Sequence, residues 1–143
     1  MIENETILDR LRVDVGYRTS HTRKVTEKDI ALFAEVSGDF NPIHINDEYA
    51  RKTVFGGRIA HGVFALGLLS AAGAKLPGLV TLLSMSSKFL KPVRIGDTIT
   101  AGAEVTMVRK DKGIVTLKST CTNQDGEVIV GGETMVRLFE PPA

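Results

Sequence analysis

Cysteine is almost absent from this sequence, with Cys121 the single one among 143 residues. One cysteine excludes an internal disulfide framework and any zinc site built from several cysteines. Cys121 lies in an alternating strand pattern, where we expect a buried or half-buried side chain. A chain that uses so little cysteine fits a reducing compartment, so we predict a cytoplasmic location.

An excess of charge is also missing, because the formal net charge is only +1. A nucleic-acid surface needs a clustered basic excess, so we expect no nucleic-acid partner. The most apolar stretch, Ile59 to Leu69, is too short and too rich in glycine to span a bilayer. Residues 1–10 carry three acidic side chains and no apolar run, which argues against a secretory signal and leaves no predicted membrane partner.

Metal-binding patterns are lacking as well. The three histidines, His21, His44 and His61, do not have the tight spacing of an HExxH-type site. His44 and His61 could meet in space, but we expect no bound metal. Hydrophobic residues make up 43% and charged residues 24% of the chain, which is ordinary for one soluble globular domain spanning residues 1–143.

The stretch from Ser37 to His44 contains the most informative chemistry. Gly38 and Pro42 are helix-breaking residues within it, so a preceding helix must end near residue 36 or 37. With the chain bent there, Asp39 and His44 can face each other across a loop and hold one water between them. A carboxylate and an imidazole in that geometry suit general acid/base catalysis. The alternatives are an Asx turn or helix cap for Asp39 and a plain surface or core residue for His44.

Helical signals flank this loop on both sides. Thr26 is a predicted N-cap for a helix whose apolar stripe includes Ile30 and Phe33. A second short helix is predicted over residues 48–52, with Tyr49 packing inward. The segment Ile59 to Lys75 is apolar on all sides, which predicts a helix covered on every face by a curling sheet.

The second half of the chain has the sequence patterns of β-strands. Strands are predicted over residues 79–89, 98–108, 114–121 and 128–138, with hairpin turns at Asp111-Lys112-Gly113 and Asn123 to Gly126. Consecutive strands on short turns predict an antiparallel meander. Helices followed by such a meander, with one helix fully apolar, indicate an α+β fold.

Two motifs carry a family resemblance. Ser37-Gly38-Asp39-Phe40-Asn41-Pro42-Ile43-His44, followed by Ala50, resembles the hydratase 2 motif of the MaoC-like, R-specific enoyl-CoA hydratases. Phe55-Gly56-Gly57-Arg58-Ile59-Ala60-His61-Gly62, opening an apolar helix, is also similar to that family. The similarity runs from about residue 15 to residue 139.

The resemblance implies a hot-dog fold, in which an antiparallel sheet wraps around a central apolar helix, and a homodimer or dimer-based oligomer. It implies syn addition of water to trans-2-enoyl-CoA, giving (R)-3-hydroxyacyl-CoA, with no cofactor other than the coenzyme A of the substrate. Asp39 and His44 would then bind one water, remove its proton and assist protonation at C2. Charge on the thioester oxygen also needs a donor. The Gly62 backbone N–H at the start of the apolar helix is our candidate, with a mere entry turn as the alternative.

Other residues are candidates for substrate binding. Asn41 is expected to buttress the loop, whereas Ser70 could contact the dyad, line the acyl pocket or simply pack. His61 could approach the substrate or cap the helix start, and we favour a structural role. The acyl chain is expected along Val63, Leu66 and Leu69, where Gly73 and Ala74 could leave room for it or let a strand close the gap. Cations that could meet the coenzyme A phosphates, or simply face solvent, are Lys88, Arg94, Lys91 and Arg58.

Three rival functions remain open. The same site run in reverse is a 3-hydroxyacyl-thioester dehydratase, acting on coenzyme A or acyl carrier protein thioesters. Hot-dog thioesterases share the fold but lack the Gly-Asp-x-Asn-Pro-x-His loop. A non-catalytic acyl-CoA-binding module would need no complete dyad, and the presence of both Asp39 and His44 argues against it.

Overall fold

Five strands and five helices make up the computed structural model, which describes residues 4–143. The helices are α1 (Ile7–Leu11), α2 (Glu27–Ser37), α3 (Pro42–Ile45), α4 (Asp47–Arg51) and α5 (Gly62–Gly73). The strands are β1 (Arg18–Lys24), β2 (Leu79–Phe89), β3 (Thr98–Arg109), β4 (Ile114–Thr122) and β5 (Val128–Phe139). The α+β fold class is therefore confirmed. Within the described chain, no helix has the length and apolar character needed to cross a membrane.

Helix α2 delivers the chain to the candidate loop as its sequence predicts. Thr26 and Asp29 form a reciprocal capping box at its start, which satisfies two backbone N–H groups that lack intrahelical partners. Gly38 ends the helix in the left-handed conformation, with φ 82°, which glycine adopts without a steric penalty. The predicted end at residue 36 or 37 is confirmed. The inward packing predicted for Tyr49 is wrong, because that side chain on α4 is 50% exposed.

The five strands form one antiparallel sheet in the order β1-β3-β4-β5-β2. Strands β3, β4 and β5 form the predicted meander. The prediction is wrong for β2, which pairs with β5 at the far edge instead of with β3. The physical reason is loop length: the turns after β3 and β4 are tight, whereas the eight-residue segment 90–97 lets the chain cross to the other edge.

Charged residues of alternating sign stand opposite each other across four strands. Arg18 of β1 faces Glu104 of β3, Glu104 faces Lys118 of β4, and Lys118 faces Glu133 of β5. Arg18 and Glu104 form an ion pair of 3.0 Å. We call this row the charge ladder.

Small residues on α5 let the sheet approach the helix backbone closely. Thr19 Oγ1 on β1 donates a hydrogen bond of 2.6 Å to the carbonyl of Ala72, and Cys121 Sγ on β4 lies 3.7 Å from the carbonyl of Ala65. Cys121 is fully buried, as predicted, and burial raises its pKa to about 12. Its thiol is therefore a core group, without the lowered pKa of a reactive cysteine.

One face of α5 is left open by the chain's own sheet. Val63, Gly67, Ser70 and Ala74 are exposed, and their spacing of four, three and four residues places them on one side of the helix. The prediction that the sheet covers every face is wrong for this side. The open face and the edge strand β2, with exposed Leu82 and Leu83, are apolar surfaces that a single chain does not cover.

Candidate active site

The loop after α2 brings a carboxylate and an imidazole together. Asp39 Oδ2 lies 3.9 Å from His44 Nε2, so the two groups converge as the sequence predicts. Asp39 Oδ1 also accepts the backbone N–H of Asn41 at 3.1 Å, which closes an Asx turn. Pro42 and the Asn41 side chain start the short helix α3, which the sequence did not reveal and which holds His44 in its last turn.

The orientation of the His44 ring is fixed by the chain that precedes α5. His44 Nδ1 lies 2.8 Å from the carbonyl oxygen of Ile59. A carbonyl can only accept, so the proton of this bond sits on Nδ1. In the neutral ring, Nε2 then carries the lone pair, and it faces the Asp39 carboxylate. Two acceptors cannot hydrogen-bond to each other, but one water about 2.8 Å from each can donate to both across the 3.9 Å between them.

His61 lies behind the pair. Its ring stacks on His44 with centroids 4.0 Å apart and packs against Phe33 at 4.8 Å. Its Nε2 lies 2.9 Å from the backbone carbonyl of Asp39, to which it must donate. Only 1% of His61 is exposed, and the residue does not line the pocket beside His44, which favours the structural role over contact with the substrate. His61 occupies the N-cap position of α5 but makes no side-chain capping bond.

Asp39, His44 and His61 also form a cluster whose potential metal-ligating atoms lie within 4.8 Å of one another. Each imidazole already donates through one nitrogen to a backbone carbonyl, and the two rings are stacked. Each ring therefore has one nitrogen left for another ligand. The absence of a metal stays a prediction.

The start of α5 supplies a free backbone donor. Among residues 4–143, the N–H of Gly62 donates to no acceptor, as expected for the first residue of a helix. A Cβ at Gly62 would lie 3.1 Å from two atoms of the Phe89 ring. Close packing against Phe89 therefore also explains why glycine occupies this position, besides the predicted catalytic role.

An apolar pocket of about 310 Å³ opens beside His44 and Gly62. Sequence reasoning did not select most of its walls, because they come from four separate segments that only the fold assembles. The lining residues are His44, Phe55, Ile59, Ala60, Gly62, Ala65, Phe89, Leu90, Lys91, Pro92, Val93 and Val130.

The predicted acyl-binding residues on α5 do not line this pocket. Val63 is exposed on the open face, and Leu66 packs against the core. Ser70 lines a separate cavity of about 150 Å³ together with Gly73 and Ala74. The small residues therefore leave space next to the helix, and strands β2 and β5 wall this cavity on its other side.

The four candidate cations differ in their surroundings. Arg58 is mostly buried, and its guanidinium pairs with Asp47 at 2.7 Å and with Glu27. Its charge is therefore already paired within the protein and is not free to bind a phosphate. Arg94 is half-buried, and its side chain lies 3.5 Å from the carbonyl of Gly57.

The two lysines lie closer to solvent. Lys88 is exposed next to Phe89. Lys91 lines the apolar pocket and pairs with Glu127, which lowers the pKa of that carboxyl.

Comparisons with known proteins agree with this architecture. Residues 11–125 match the family model of the MaoC like domain. The chain is 46% identical over 125 residues to a protein of Rhodospirillum rubrum named (R)-specific enoyl-CoA hydratase, covering 86% of each. It is 38% identical over 128 residues to a 3-hydroxybutyryl-CoA dehydratase of Methylorubrum extorquens, covering 88% of this chain and 81% of that protein.

A solved structure supports the same relationship. An (R)-hydratase from A. caviae, described as involved in PHA biosynthesis, superposes with a TM-score of 0.84 and 37% sequence identity. The alignment covers 89% of this chain and 98% of that one.

Proposed function

Since the chain belongs to the MaoC-like family, we propose that it is an (R)-specific enoyl-CoA hydratase. The observation that carries this proposal is the convergence of Asp39 Oδ2 and His44 Nε2, 3.9 Å apart, beside an apolar pocket that His44 lines. Two acceptors at that separation suit a nucleophilic water, and the apolar walls suit a short acyl chain.

Hydration begins with the bound water. Its oxygen attacks C3 of the enoyl thioester as one acceptor of the pair removes a proton from it, and that proton then passes to C2 directly or through the other member. Both groups end in their starting protonation states, so no redox cofactor is required. Both new bonds form on the face of the substrate that meets the pair, which gives syn addition.

The negative charge on the thioester oxygen is stabilised by the Gly62 N–H. This donor has no partner among residues 4–143, and it stands at the positive end of α5. It borders the same pocket as His44, so one bound substrate can meet the water and the oxyanion donor together.

The reverse reaction uses the same groups. Dehydration of a (R)-3-hydroxyacyl thioester removes the C2 proton and protonates the leaving hydroxyl, so one site supports both directions. The relative named 3-hydroxybutyryl-CoA dehydratase favours this second candidate. Assays started from crotonyl-CoA and from (R)-3-hydroxybutyryl-CoA should approach the same equilibrium mixture.

The carrier of the acyl group is proposed to be coenzyme A. Lys88 and Lys91 are the cations best placed for its phosphates, because Lys91 borders the pocket and Lys88 is exposed nearby. Arg94 stays a weaker candidate, since its side chain already contacts Gly57. An acyl carrier protein thioester is the alternative carrier, and relative kcat/KM values with the two substrates distinguish them.

A homodimer is also proposed, and two surfaces support it. The face of α5 made by Val63, Gly67, Ser70 and Ala74 is uncovered, and the edge of β2 is paired on one side only in the described chain. Exposed apolar strand edges invite pairing with another chain. We further propose a cytoplasmic location, which the free, buried Cys121 fits.

The decisive experiment follows loss of the enoyl-thioester absorbance of crotonyl-CoA. The wild type should consume the substrate and yield the R product, whereas Asp39→Asn and His44→Gln should lose about 10²- to 10⁴-fold in kcat. Asp111→Asn and His21→Gln, which alter the same residue types away from the site, should keep wild-type rates. Equal decay in all five proteins would refute the mechanism. Decay accompanied by an equal release of free thiol would identify a thioesterase, and binding without any reaction would identify an acyl-CoA-binding module.

A further inference from the structure

The loop that carries Asp39 has little to hold it in place. Phe40 is 56% exposed, and Asn41 is exposed as well. All but one of the hydrogen bonds of residues 38–41 are local and join them to positions between Ala34 and His44. Within residues 4–143, the single hydrogen bond that reaches this loop from elsewhere is the one from His61 Nε2 to the carbonyl of Asp39.

His61 also contacts the other reacting groups. Its ring stacks on His44, and it immediately precedes Gly62, whose N–H is the proposed oxyanion donor. One buried side chain therefore contacts the loop of the carboxylate and the face of the imidazole, and its own backbone forms the peptide bond that carries the oxyanion donor. It stays out of the substrate pocket, because it does not line that pocket.

We infer that His61 is a positioning residue that sets the distance between Asp39 and His44. This inference rests on the proposed hydratase function. The role requires the His61 proton on Nε2, because the carbonyl of Asp39 can only accept. In the neutral ring, Nδ1 then carries a lone pair, and that buried atom has no hydrogen-bond partner among the described residues. His44, held by Ile59, has the opposite tautomer, with its proton on Nδ1.

A positioning role makes a different kinetic prediction from substrate contact. Misplacing Asp39 would impair the chemical step and leave ground-state binding intact, so kcat should fall while KM stays constant. Loss of a substrate contact would raise KM. A merely structural residue would alter stability without separating kcat from KM.

Two substitutions separate the contributions of the ring and the donor. His61→Phe retains an aromatic ring for stacking but cannot donate to Asp39, and we expect kcat with crotonyl-CoA to fall about 10- to 100-fold with KM within about two-fold. His61→Gln keeps a terminal N–H at a similar reach, and we expect its kcat to recover to within about five-fold of wild type. His21→Phe is the matched control and should leave both constants unchanged.

Three kinetic outcomes would overturn the inference: wild-type kcat in His61→Phe, equal losses in His61→Phe and His61→Gln, or a raised KM at constant kcat.

A spectroscopic experiment tests the inference independently of activity. Long-range ¹H–¹⁵N correlation spectra of the wild-type imidazoles, assigned with single substitutions of the three histidines, should show His61 protonated on Nε2 and His44 on Nδ1.

A His61 proton on Nδ1 would reject the inference even if His61→Phe fails to fold. A wild-type protein that does not hydrate crotonyl-CoA would refute the proposed function, and the spectra would still test whether His61 donates to Asp39.

Discussion

The carbonyl oxygen of Ile59 accepts a hydrogen bond of 2.8 Å from His44 Nδ1, and this contact decides which ring nitrogen faces the carboxylate. Ile59 in turn receives support from α3, because its N–H bonds to the carbonyl of Ile43. The orientation of the reactive imidazole is thus set by backbone atoms, which side-chain substitutions do not remove.

This arrangement predicts that anchoring and reactivity at position 44 are separable. His44→Asn places an amide N–H near the position of Nδ1, so the bond to Ile59 can persist while the reactive Nε2 is lost. We expect a melting temperature close to wild type and a kcat lowered about 10²- to 10⁴-fold. Thermal denaturation and the crotonyl-CoA assay measure the two effects. Substantial activity in His44→Asn would mean that Nε2 takes no part in the reaction.

Gly62 offers a test of why glycine occupies the start of α5. Gly62→Ala should lower kcat about 100-fold if the methyl group displaces the thioester carbonyl. The same methyl would also crowd Phe89 at 3.1 Å. The double variant with Phe89→Leu removes that crowding, and Phe89→Leu alone is its control. Persistently low activity in the double variant supports the catalytic reason, whereas full recovery would show that the glycine serves packing against Phe89.

The proposed phosphate contacts can be separated from acyl binding by truncating the substrate. Lys88→Ala and Lys91→Ala should each raise KM for crotonyl-CoA about 2- to 10-fold, the size of one exposed charge-assisted contact, with kcat unchanged. The corresponding crotonyl-pantetheine thioester, which lacks the nucleotide, should show no such change. Lys112→Ala, in an exposed turn, is the control. Equal KM increases for both substrates would show that these lysines do not bind the nucleotide phosphates.

Gly67 gives a clean test of the proposed dimer. A Cβ added at Gly67 would meet no atom within 4 Å in the single chain, so Gly67→Glu should not disturb the monomer fold. If a second copy covers this face of α5, the buried charge should convert the dimer to a folded monomer. Light scattering during size exclusion reports the mass, and Met107→Glu on an exposed strand position is the control. A wild-type protein that is monomeric at micromolar concentration would contradict the proposal.

The ion pair between Arg23 and Asp29 predicts acid sensitivity. Asp29 is 6% exposed and accepts two bonds from Arg23, of 3.0 and 2.6 Å. Hydrogen bonding to this guanidinium is the main cause of the lowered pKa of the Asp29 carboxyl, and bonds from Thr26 contribute further. Because the folded pKa lies below the unfolded one, the stabilisation is complete above the unfolded pKa of about 3.9 and is lost as pH falls through the folded value.

Asp29→Asn should therefore cost about 1.5–3 kcal/mol of unfolding free energy at pH 7, the range for hydrogen bonds to charged groups. The difference from wild type should shrink as pH falls below about 4. Urea denaturation at several pH values measures it, with Asp111→Asn as the control. A difference that is constant with pH would exclude a titrating ion pair as its source.

Local features were predictable from the sequence because their causes are local. The cap at Thr26 and the end of α2 at Gly38 depend on residues within a few positions, and the turn that follows brings Asp39 near His44. The position of β2 at the far edge depends on pairing with residues about 50 positions away, which no short pattern encodes. The walls of the pocket and the bond from His61 to Asp39 were missed for the same reason, because the fold brings their segments together.

Exposure was harder to predict than secondary structure. Tyr49 on α4 and the open face of α5 were both expected to be covered, because the apolar side chains there resemble those of a core. An apolar pattern shows that a surface benefits from burial, but it does not show which molecule buries it.

The charge ladder bears on the accuracy with which the sheet is assembled. A slip of one residue between β3 and β4 would turn apolar side chains outward, but a slip of two would preserve the alternation of faces. After such a slip, Glu104 would stand opposite Thr116 or Thr120 instead of Lys118. A slip of two residues between β4 and β5 would likewise separate Lys118 from Glu133. Each cross-strand pair is worth about 0.2–1 kcal/mol, so the ladder penalises misaligned sheets that hydrophobic burial alone would accept.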